Sequence, residues 1–331
     1  MRCPDCQHDQ KYRDGTRCGQ CGYQFVFRKR DDKISDLALR QIIQRLSEHG
    51  QYAFTATQLA LEICRYWRER QHWIGSMIFV IVIALVLFFV TQRWGLSVSI
   101  LVISLGVMLG WSQWKKTALP FHKAHTLIHR YHRIHSLAGL ADGMALQQPT
   151  AIIDLQELHY APERILVVER NDLVDMLIRN RFHLTSKTIV LSRFGYPEWV
   201  AKACLNVLRR YPNTPIQLVH DASLRGFYWN TQLAADPHWI LTGHPVTDLG
   251  LSRTVLGVGI RLPWLSDKRF FAKSVFSTDH SAMLRAGRRV PIDCVGPKRL
   301  LSLLSAAIIS GTFTLATANT SNDFDIEVDY G

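Results

Sequence analysis

The chain has 331 residues and a formal net charge of +12 at pH 7, which leaves room for a membrane segment, one moderate domain and a small one. The basic excess is uneven: residues 1–72 carry 13 basic and 9 acidic side chains, and residues 151–331 carry 20 and 17. Charge alone therefore does not identify a nucleic-acid-binding protein. The seven cysteines favour metal ligands or free thiols over disulfides if the chain is cytoplasmic.

The first predicted element, over residues 1–30, is a zinc ribbon. Two CxxC pairs lie eleven residues apart, each able to hold one ion from a tight turn. Four thiolates complete a tetrahedral site with no open position, so the metal is expected to be structural. Redox-active CxxC pairs are the alternative, but no βαβ pattern surrounds them. The predicted ligands are Cys3, Cys6, Cys18 and Cys21.

Residues 31–72 are predicted to form a helical connector. Apolar residues recur at helical spacing from Ser35 to Ser47. The sequence Thr55-Ala56-Thr57-Gln58 has the order of a capping box and predicts the start of a second helix. The pair can be a helix-turn-helix that binds DNA, but the more ordinary interpretation is a packing unit that connects the ribbon to the next segment.

The stretch 73–114 predicts a transmembrane hairpin. Residues 73–91 and 94–114 are two apolar runs without a charged side chain, and about 19 helical residues cover roughly 28 Å, close to the thickness of a bilayer core. Cations flank the pair, so both termini are expected in the cytoplasm. The sequence thus predicts an integral protein of the inner or plasma membrane, with the lipid bilayer as a partner.

Residues 115–150 predict a basic, histidine-rich juxtamembrane helix followed by a linker. Five histidines fall within one sector of a helix, where such a cluster can bind a metal or sense pH. No acidic residue accompanies them, so a cationic or simply polar face is the alternative. The five are His122, His125, His129, His132 and His135.

From residue 151 to about 320 the pattern becomes α/β. Three apolar runs suit buried strands: Arg164–Val168, Thr188–Leu191 and Pro215–His220. Helical patterns lie between them, which indicates a mostly parallel, Rossmann-like sheet with helices on its faces. Ligands bind beyond the carboxyl ends of such strands, where Glu169 and Asp221 stand.

This domain resembles the Toprim domain in the version found in the DNA-cleaving subunit of topoisomerase VI and its relatives. The matching segments are ILVVE (165–169), FGYP (194–197) and LVHDASLRG (218–226). The resemblance implies a magnesium site in which Glu169 and Asp221 are catalytic ligands. The second aspartate of the family pattern is replaced by Ser223, a weaker ligand, and the winged-helix domain with its nucleophilic tyrosine has no counterpart. The resemblance thus implies a degenerate domain.

The predicted fold class is therefore a multidomain membrane protein with a zinc ribbon, a transmembrane helical hairpin, a Toprim-like α/β domain and an acidic tail over residues 321–331. Two functions remain open. One is a membrane-tethered adaptor or sensor, associated with a nucleic acid or a protein partner. The other is a Mg²⁺-dependent nuclease or phosphoryl-transfer enzyme using Glu169 and Asp221, with Asp248 or Asp267 as a further ligand. The alternative to magnesium is that Arg170, Arg193 or Arg225 pairs with the two carboxylates.

Overall fold

A computed structural model of the chain describes residues 1–69, 120–148, 162–234, 239, 243–251, 262–266 and 282–315. Residues 1–27 form two cysteine turns, with a short 3-10 helix at Tyr12–Asp14 between them. Helix α1 (Lys29–Asp32) and helix α2 (Asp36–Leu46) follow. Ser35 caps α2, because its hydroxyl accepts the N–H of Ala38 at 3.2 Å.

The connector and residues 120–141 form a small helical unit with its own core. Strand β1 (Phe54–Thr55) leads into helix α3, which occupies 56–69. Helix α4 (Phe121–Ile134) packs against α2 and α3, and strand β2 (Leu140–Ala141) pairs in parallel with β1. Buried residues of this core include Leu39, Phe54, Leu59, Ile63, Ile128 and Tyr131.

The α/β unit contains a four-stranded parallel sheet in the order β4-β3-β5-β6. Its strands and the helices near them are β3 (Arg164–Val168), α5 (Asn171–Arg179), α6 (Phe182–Thr185), β4 (Thr188–Ser192), α7 (Glu198–Arg210), β5 (Ile216–Val219), α8 (Leu224–Phe227), α9 (Trp229–Ala234) and β6 (Val246–Asp248).

Helices cover both faces of the sheet because the chain reverses direction. It crosses from β3 to β4 on one side and then returns to β5 on the other, so right-handed connections place α5 and α7 on opposite faces. Successive side chains of β3 point to opposite faces of the sheet. Leu166 and Val168 accordingly pack with α5, whereas Ile165 and Val167 pack with α7. Both faces are therefore buried.

The last part of the chain closes the α5 face. It contains strand β7 (Leu265–Ser266), helix α10 (Ala282–Arg285), strand β8 (Arg288–Arg289), antiparallel to β7, and helix α11 (Pro297–Ser310). Leu300, Leu304 and Ile308 of α11 join the core beneath the sheet. An isolated bridge between Ala222 and Val290 lays this segment across the end of β5.

The predicted membrane fold class requires correction. In the part of the chain that the structure describes, no helix combines the length and the apolar character needed to cross a bilayer. Helices α4 and α11, with 14 residues each, span only about 21 Å, short of the roughly 30 Å of a hydrocarbon core. The finding contradicts the transmembrane hairpin and the integral-membrane localisation with cytoplasmic termini, and we carry neither further. The two apolar runs from which these predictions were made, 73–91 and 94–114, lie outside the described residues.

Other predictions of elements have clearer outcomes. The three strands, the helices after the first two of them, α2 and the capped start of α3 are confirmed. The predicted acidic tail at 321–331 lies outside the described residues. The proposed domain boundaries stay predictions. The described fold is a cysteine cluster, a helical unit and a parallel α/β unit.

Candidate metal centre and sheet-edge carboxylates

The four N-terminal cysteines converge as the sequence predicts. Their sulfurs lie within 4.8 Å of one another, and the Sγ–Sγ distances of Cys3–Cys21 and Cys6–Cys18 are both 3.5 Å. A tetrahedral thiolate site with bonds of about 2.3 Å separates its sulfurs by about 3.8 Å, so the cluster needs little adjustment. These four cysteines can hold a metal ion.

The two CxxC turns have the same backbone hydrogen bonds at positions 15 residues apart. The sequence analysis did not predict this repeat. The N–H groups of Gln7 and Gly22 donate to the carbonyls of Cys3 and Cys18, at 3.0 and 2.9 Å. The two cysteine N–H groups in turn donate to residues 8 and 23. Gln7 and Gly22 share positive φ angles of 61° and 75°. Each turn therefore points two sulfurs at the same point by the same backbone geometry.

The thiols in this cluster do not titrate alike. The N–H of Cys21 helps to lower the pKa of Cys18 to about 6, which favours its thiolate. For Cys21, the N–H of Tyr23 acts to lower the pKa, but desolvation and the three neighbouring thiols outweigh it and raise the pKa to about 12. Negative charge on one sulfur opposes ionisation of the next. A cation bound among the sulfurs would offset this repulsion between neighbouring thiolates.

The cysteine unit is fixed to the helical unit through Tyr23. Its hydroxyl donates to the carboxylate of Asp36 at 3.1 Å and contacts the hydroxyl of Tyr131 at 3.1 Å. The ring of His135 stacks on Tyr23 with 4.4 Å between centroids. Asp36 also accepts the N–H groups of Val26 and Phe27, at 2.8 and 2.9 Å. Burial raises the pKa of the Asp36 carboxyl.

Glu169 and Asp221 meet at the edge of the sheet, as parallel-strand logic predicts. They follow β3 and β5, the adjacent strands between which the chain reverses direction, which is the usual ligand crevice of such folds. One Glu169 carboxylate oxygen accepts the backbone N–H of Asp221 at 3.1 Å. Burial and the Asp221 charge raise the pKa of Glu169.

The side chain of Asp221 is already occupied. It is buried, and it pairs with the guanidinium of Arg289 and accepts the N–H of Ile292 at 2.9 Å. Ser223 caps the short helix α8 by accepting the N–H of Gly226 at 2.9 Å. The chain's own segment 288–293 thus lies where a bound cation would contact Asp221. Of the arginines proposed from sequence, none is the partner of Asp221 in the described ion pairs.

Arg170 belongs to a separate buried network. Its guanidinium pairs with Asp293, donates to the hydroxyl of Thr57 at 2.8 Å and lies 3.4 Å from a carboxylate oxygen of Asp172. Asp293 also accepts the hydroxyl of Thr55. Burial raises the pKa of Asp172, although Arg170 acts to lower it. This network joins the start of α3, the loop after β3 and the segment before α11.

The buried His220 pairs with the exposed Asp248 beside the crevice. The His220 Nδ1 lies 2.7 Å from the Asp221 carbonyl oxygen, and its Nε2 lies 3.0 Å from an Asp248 carboxylate oxygen. A Cβ on Gly226 or Gly250 would fall within 2.6 Å of the ring, so both glycines make room for it. Asp248 is consequently the partner of His220, while Asp267 lies outside the described residues.

The predicted histidine cluster does not converge. Helix α4 is present, and His125 and His129 contact each other with ring centroids 4.4 Å apart. His132 and His135 are instead engaged with the N–H of Leu137 and the carbonyl of Gln24. Burial, and then the neighbouring histidines, lower the pKa of His125. The arrangement favours the polar-face interpretation.

The described residues contain one group of three or more His, Cys, Asp or Glu side chains whose ligand atoms lie within 4.8 Å, the four cysteines. The carboxylates near β3 and β5 do not form a second. Comparison with protein-family models, curated proteins and solved structures found no match to this chain. The function is therefore argued from these sites alone.

Arg289 and Asp293 are the important site residues that sequence reading missed. They lie 68 and 123 positions from their partners Asp221 and Arg170, and no local pattern marks them. The one available signal was Asp293 within the apolar run from Val290 to Val295, because a carboxylate in such a setting usually has a buried partner.

Proposed function

We propose that the chain is a non-catalytic adaptor or sensor, in which a structural zinc site supports a helical unit that is joined to a degenerate Toprim-like module. The observation that carries the proposal is the set of contacts made by the Asp221 carboxylate. Both of its carboxylate oxygens are used by the chain itself, one by Arg289 and one by the N–H of Ile292. An enzyme of the Toprim kind needs that carboxylate free for magnesium.

The zinc half of the proposal rests on the donor set. Thiolates select zinc over magnesium or calcium, and four of them at tetrahedral spacing leave no open coordination position. The residues Cys3, Cys6, Cys18 and Cys21 would hold the ion, which would supply structural stability and no reaction step. Tyr23, two residues after the last cysteine, transmits that stability to α2 and α4 through Asp36 and Tyr131.

The non-catalytic half rests on the sheet edge. Ser223 is used as a helix cap, Asp248 is used by His220, and Asp293 is used by Arg170. Each described residue that sequence or proximity suggests as a third ligand therefore has another partner, whereas Asp267 lies outside the described residues. Two adjacent carboxylates without a third are a weak magnesium site at best.

Metal analysis of the purified full chain tests the zinc proposal. We expect about one zinc per chain, because four thiolates complete one site. Cys6→Ser should lose most of the zinc, whereas Cys204→Ser should keep it, since Cys204 is a buried thiol in α7. A full chain without zinc, or equal loss in both variants, would overturn this part.

A cleavage assay tests the non-catalytic proposal. Full-length protein with Mg²⁺ or Mn²⁺ should leave labelled DNA and RNA intact. Cleavage that disappears in Glu169→Gln and persists in the matched variant Glu163→Gln would establish the enzyme instead. Glu163 is a suitable control because it is half-exposed and pairs with Lys187 at the opposite end of β3.

A further inference from the structure

A cavity of about 500 Å³ lies where the helical unit meets the α/β unit. Its walls are one side of α2, the loop 47–54, the end of α4 with the following residues 135–139, and Arg179 from α5. The volume is within the range of small-molecule sites, roughly 300–1,000 Å³. It lies apart from the crevice of Glu169 and Asp221, because neither residue lines it.

The charged residues that line the cavity are all basic. Arg40, His49, His135 and Arg179 line the cavity, and no lining residue in the described part of the chain carries a carboxylate. Arg40 pairs with Asp5, so part of its charge is balanced at the rim. Arg179 differs, since no ion pair that the structure describes includes it. Among the described residues, this half-buried guanidinium thus has no counter-charge.

Arg179 is held in position by neutral groups. Its two terminal nitrogens donate to the carbonyl oxygens of Leu140, at 2.7 Å, and Ala138. These bonds orient the guanidinium against the cavity wall without neutralising it. The position in the last turn of α5 also suits a cation, so bracing the loop before β2 is the alternative role of this side chain.

The remaining lining is mixed. Ile43, Phe54 and Leu137 supply apolar surface, and Tyr52, Gln44 and Ser136 supply polar groups. An apolar wall with a few polar groups and a fixed charge is the usual composition of a site for a small organic molecule. The uncompensated arginine determines which class of molecule fits.

We propose that this cavity binds a small organic anion, with a phosphate or carboxylate group held at Arg179. The ligand contacts both units at once, so it is the signal of the sensor function proposed above. The inference needs the cavity and Arg179 only. It stands or falls independently of the zinc content and of the absence of cleavage.

Isothermal titration calorimetry on the full chain tests the proposal. The probes are inorganic pyrophosphate and citrate, titrated at fixed ionic strength because salt screens such contacts. We expect saturable binding of at least one probe, and the one that binds more tightly tells phosphate recognition from carboxylate recognition. Arg179→Gln should weaken that binding at least tenfold. The matched control Arg181→Gln removes an exposed charge outside the lining and should bind as the unchanged protein does.

A second variant keeps the test decisive if Arg179→Gln fails to fold. Ala138→Glu places a carboxylate in the cavity from an exposed position, where it should not disturb the core. We expect it to abolish binding with an unchanged unfolding midpoint. The proposal is overturned if neither probe saturates, if Arg181→Gln loses as much affinity as Arg179→Gln, or if Ala138→Glu binds normally.

Discussion

Gln7 and Gly22 hold equivalent places in the two cysteine turns, and both have positive φ. A glycine adopts that conformation without strain, whereas a residue with a Cβ costs about 1 kcal/mol. A Cβ on Gly22 would meet no atom within 4 Å, so any loss there is conformational. We expect Gly22→Ala to lower the free energy of unfolding by about 1 kcal/mol and Gln7→Gly to leave it equal or higher.

Denaturant unfolding at fixed zinc concentration checks this prediction. Gly19→Ala is the control, because Gly19 lies in the same turn with an ordinary φ and open space around it. Loss of stability in Gly19→Ala equal to that in Gly22→Ala would show that the backbone angle is not the cause.

His220 should be charged in the folded protein. Both groups that its ring nitrogens face, the Asp221 carbonyl and the Asp248 carboxylate, are acceptors, so both nitrogens must donate. Burial acts to lower the pKa of His220. The hydrogen bond to Asp248 and the negative charges of Asp248 and Glu169 outweigh burial and raise the pKa above its ordinary value of 6.5. The other close neighbours are the uncharged rings of Phe227 and Trp229.

The sign of the pH dependence follows from that raised pKa. The stabilisation is fully present below about pH 6.5, the unfolded value, and is lost as the pH rises through the folded pKa of His220. We expect Asp248→Asn to destabilise the protein most near pH 6, with a difference from the unchanged protein that shrinks towards pH 8.5. Unfolding measured across this range checks it. A difference independent of pH would rule out the charged histidine.

At the scale of elements, α3 begins with a complete capping box. The Thr55 hydroxyl accepts the N–H of Gln58 at 3.1 Å, and the Gln58 side chain accepts the N–H of Thr55 at 3.0 Å. The same hydroxyl donates to the buried carboxylate of Asp293. Thr55 thus caps one helix and satisfies an acid 238 residues away.

Thr55→Val should therefore cost more than the loss of a cap. An N-cap is worth about 1 kcal/mol. Loss of a hydrogen bond to the charged Asp293 carboxylate, which still pairs with Arg170, costs roughly 1.5–3 kcal/mol more. Ser35→Ala is the matched comparison, since Ser35 caps α2 and has no further side-chain partner among the described hydrogen bonds. We expect it to lose only the first amount in urea unfolding. Equal losses would mean that the Asp293 contact contributes nothing.

Local patterns were sufficient to predict these elements from sequence. The apolar run at 164–168, the capping order at 55–58 and the CxxC spacing each depend on neighbouring residues. Partner choice was not predictable. Arg225 lies close to Asp221 in sequence, yet Asp221 pairs with Arg289, because the fold of the last segment places that guanidinium beside the carboxylate. The occupied edge of the sheet is a tertiary property.

At the scale of the whole molecule, the Arg170–Asp293 pair joins three regions of the chain. Arg170 follows β3, Asp293 precedes α11, and Thr57 of α3 shares the guanidinium. Breaking a buried pair by removing one partner costs about 3–5 kcal/mol, because the other charge is left uncompensated. We expect Arg170→Met to destabilise the protein by about that much.

The double variant Arg170→Met with Asp293→Leu tests the cause. Removing both charges should recover part of the lost stability in denaturant unfolding, since no buried charge then remains unpaired. Additive losses would contradict the assignment of this pair as a coupled unit.

Thermal unfolding of the purified full chain with increasing Mg²⁺ tests most directly whether the crevice between β3 and β5 is closed by the chain itself. Arg289 and the N–H of Ile292 occupy Asp221, so the midpoint should not change up to about 10 mM Mg²⁺, at constant ionic strength. A bound ligand at 100 times its Kd would add about 2.7 kcal/mol of stability. A saturable rise in the midpoint that Glu169→Gln abolishes would contradict the account.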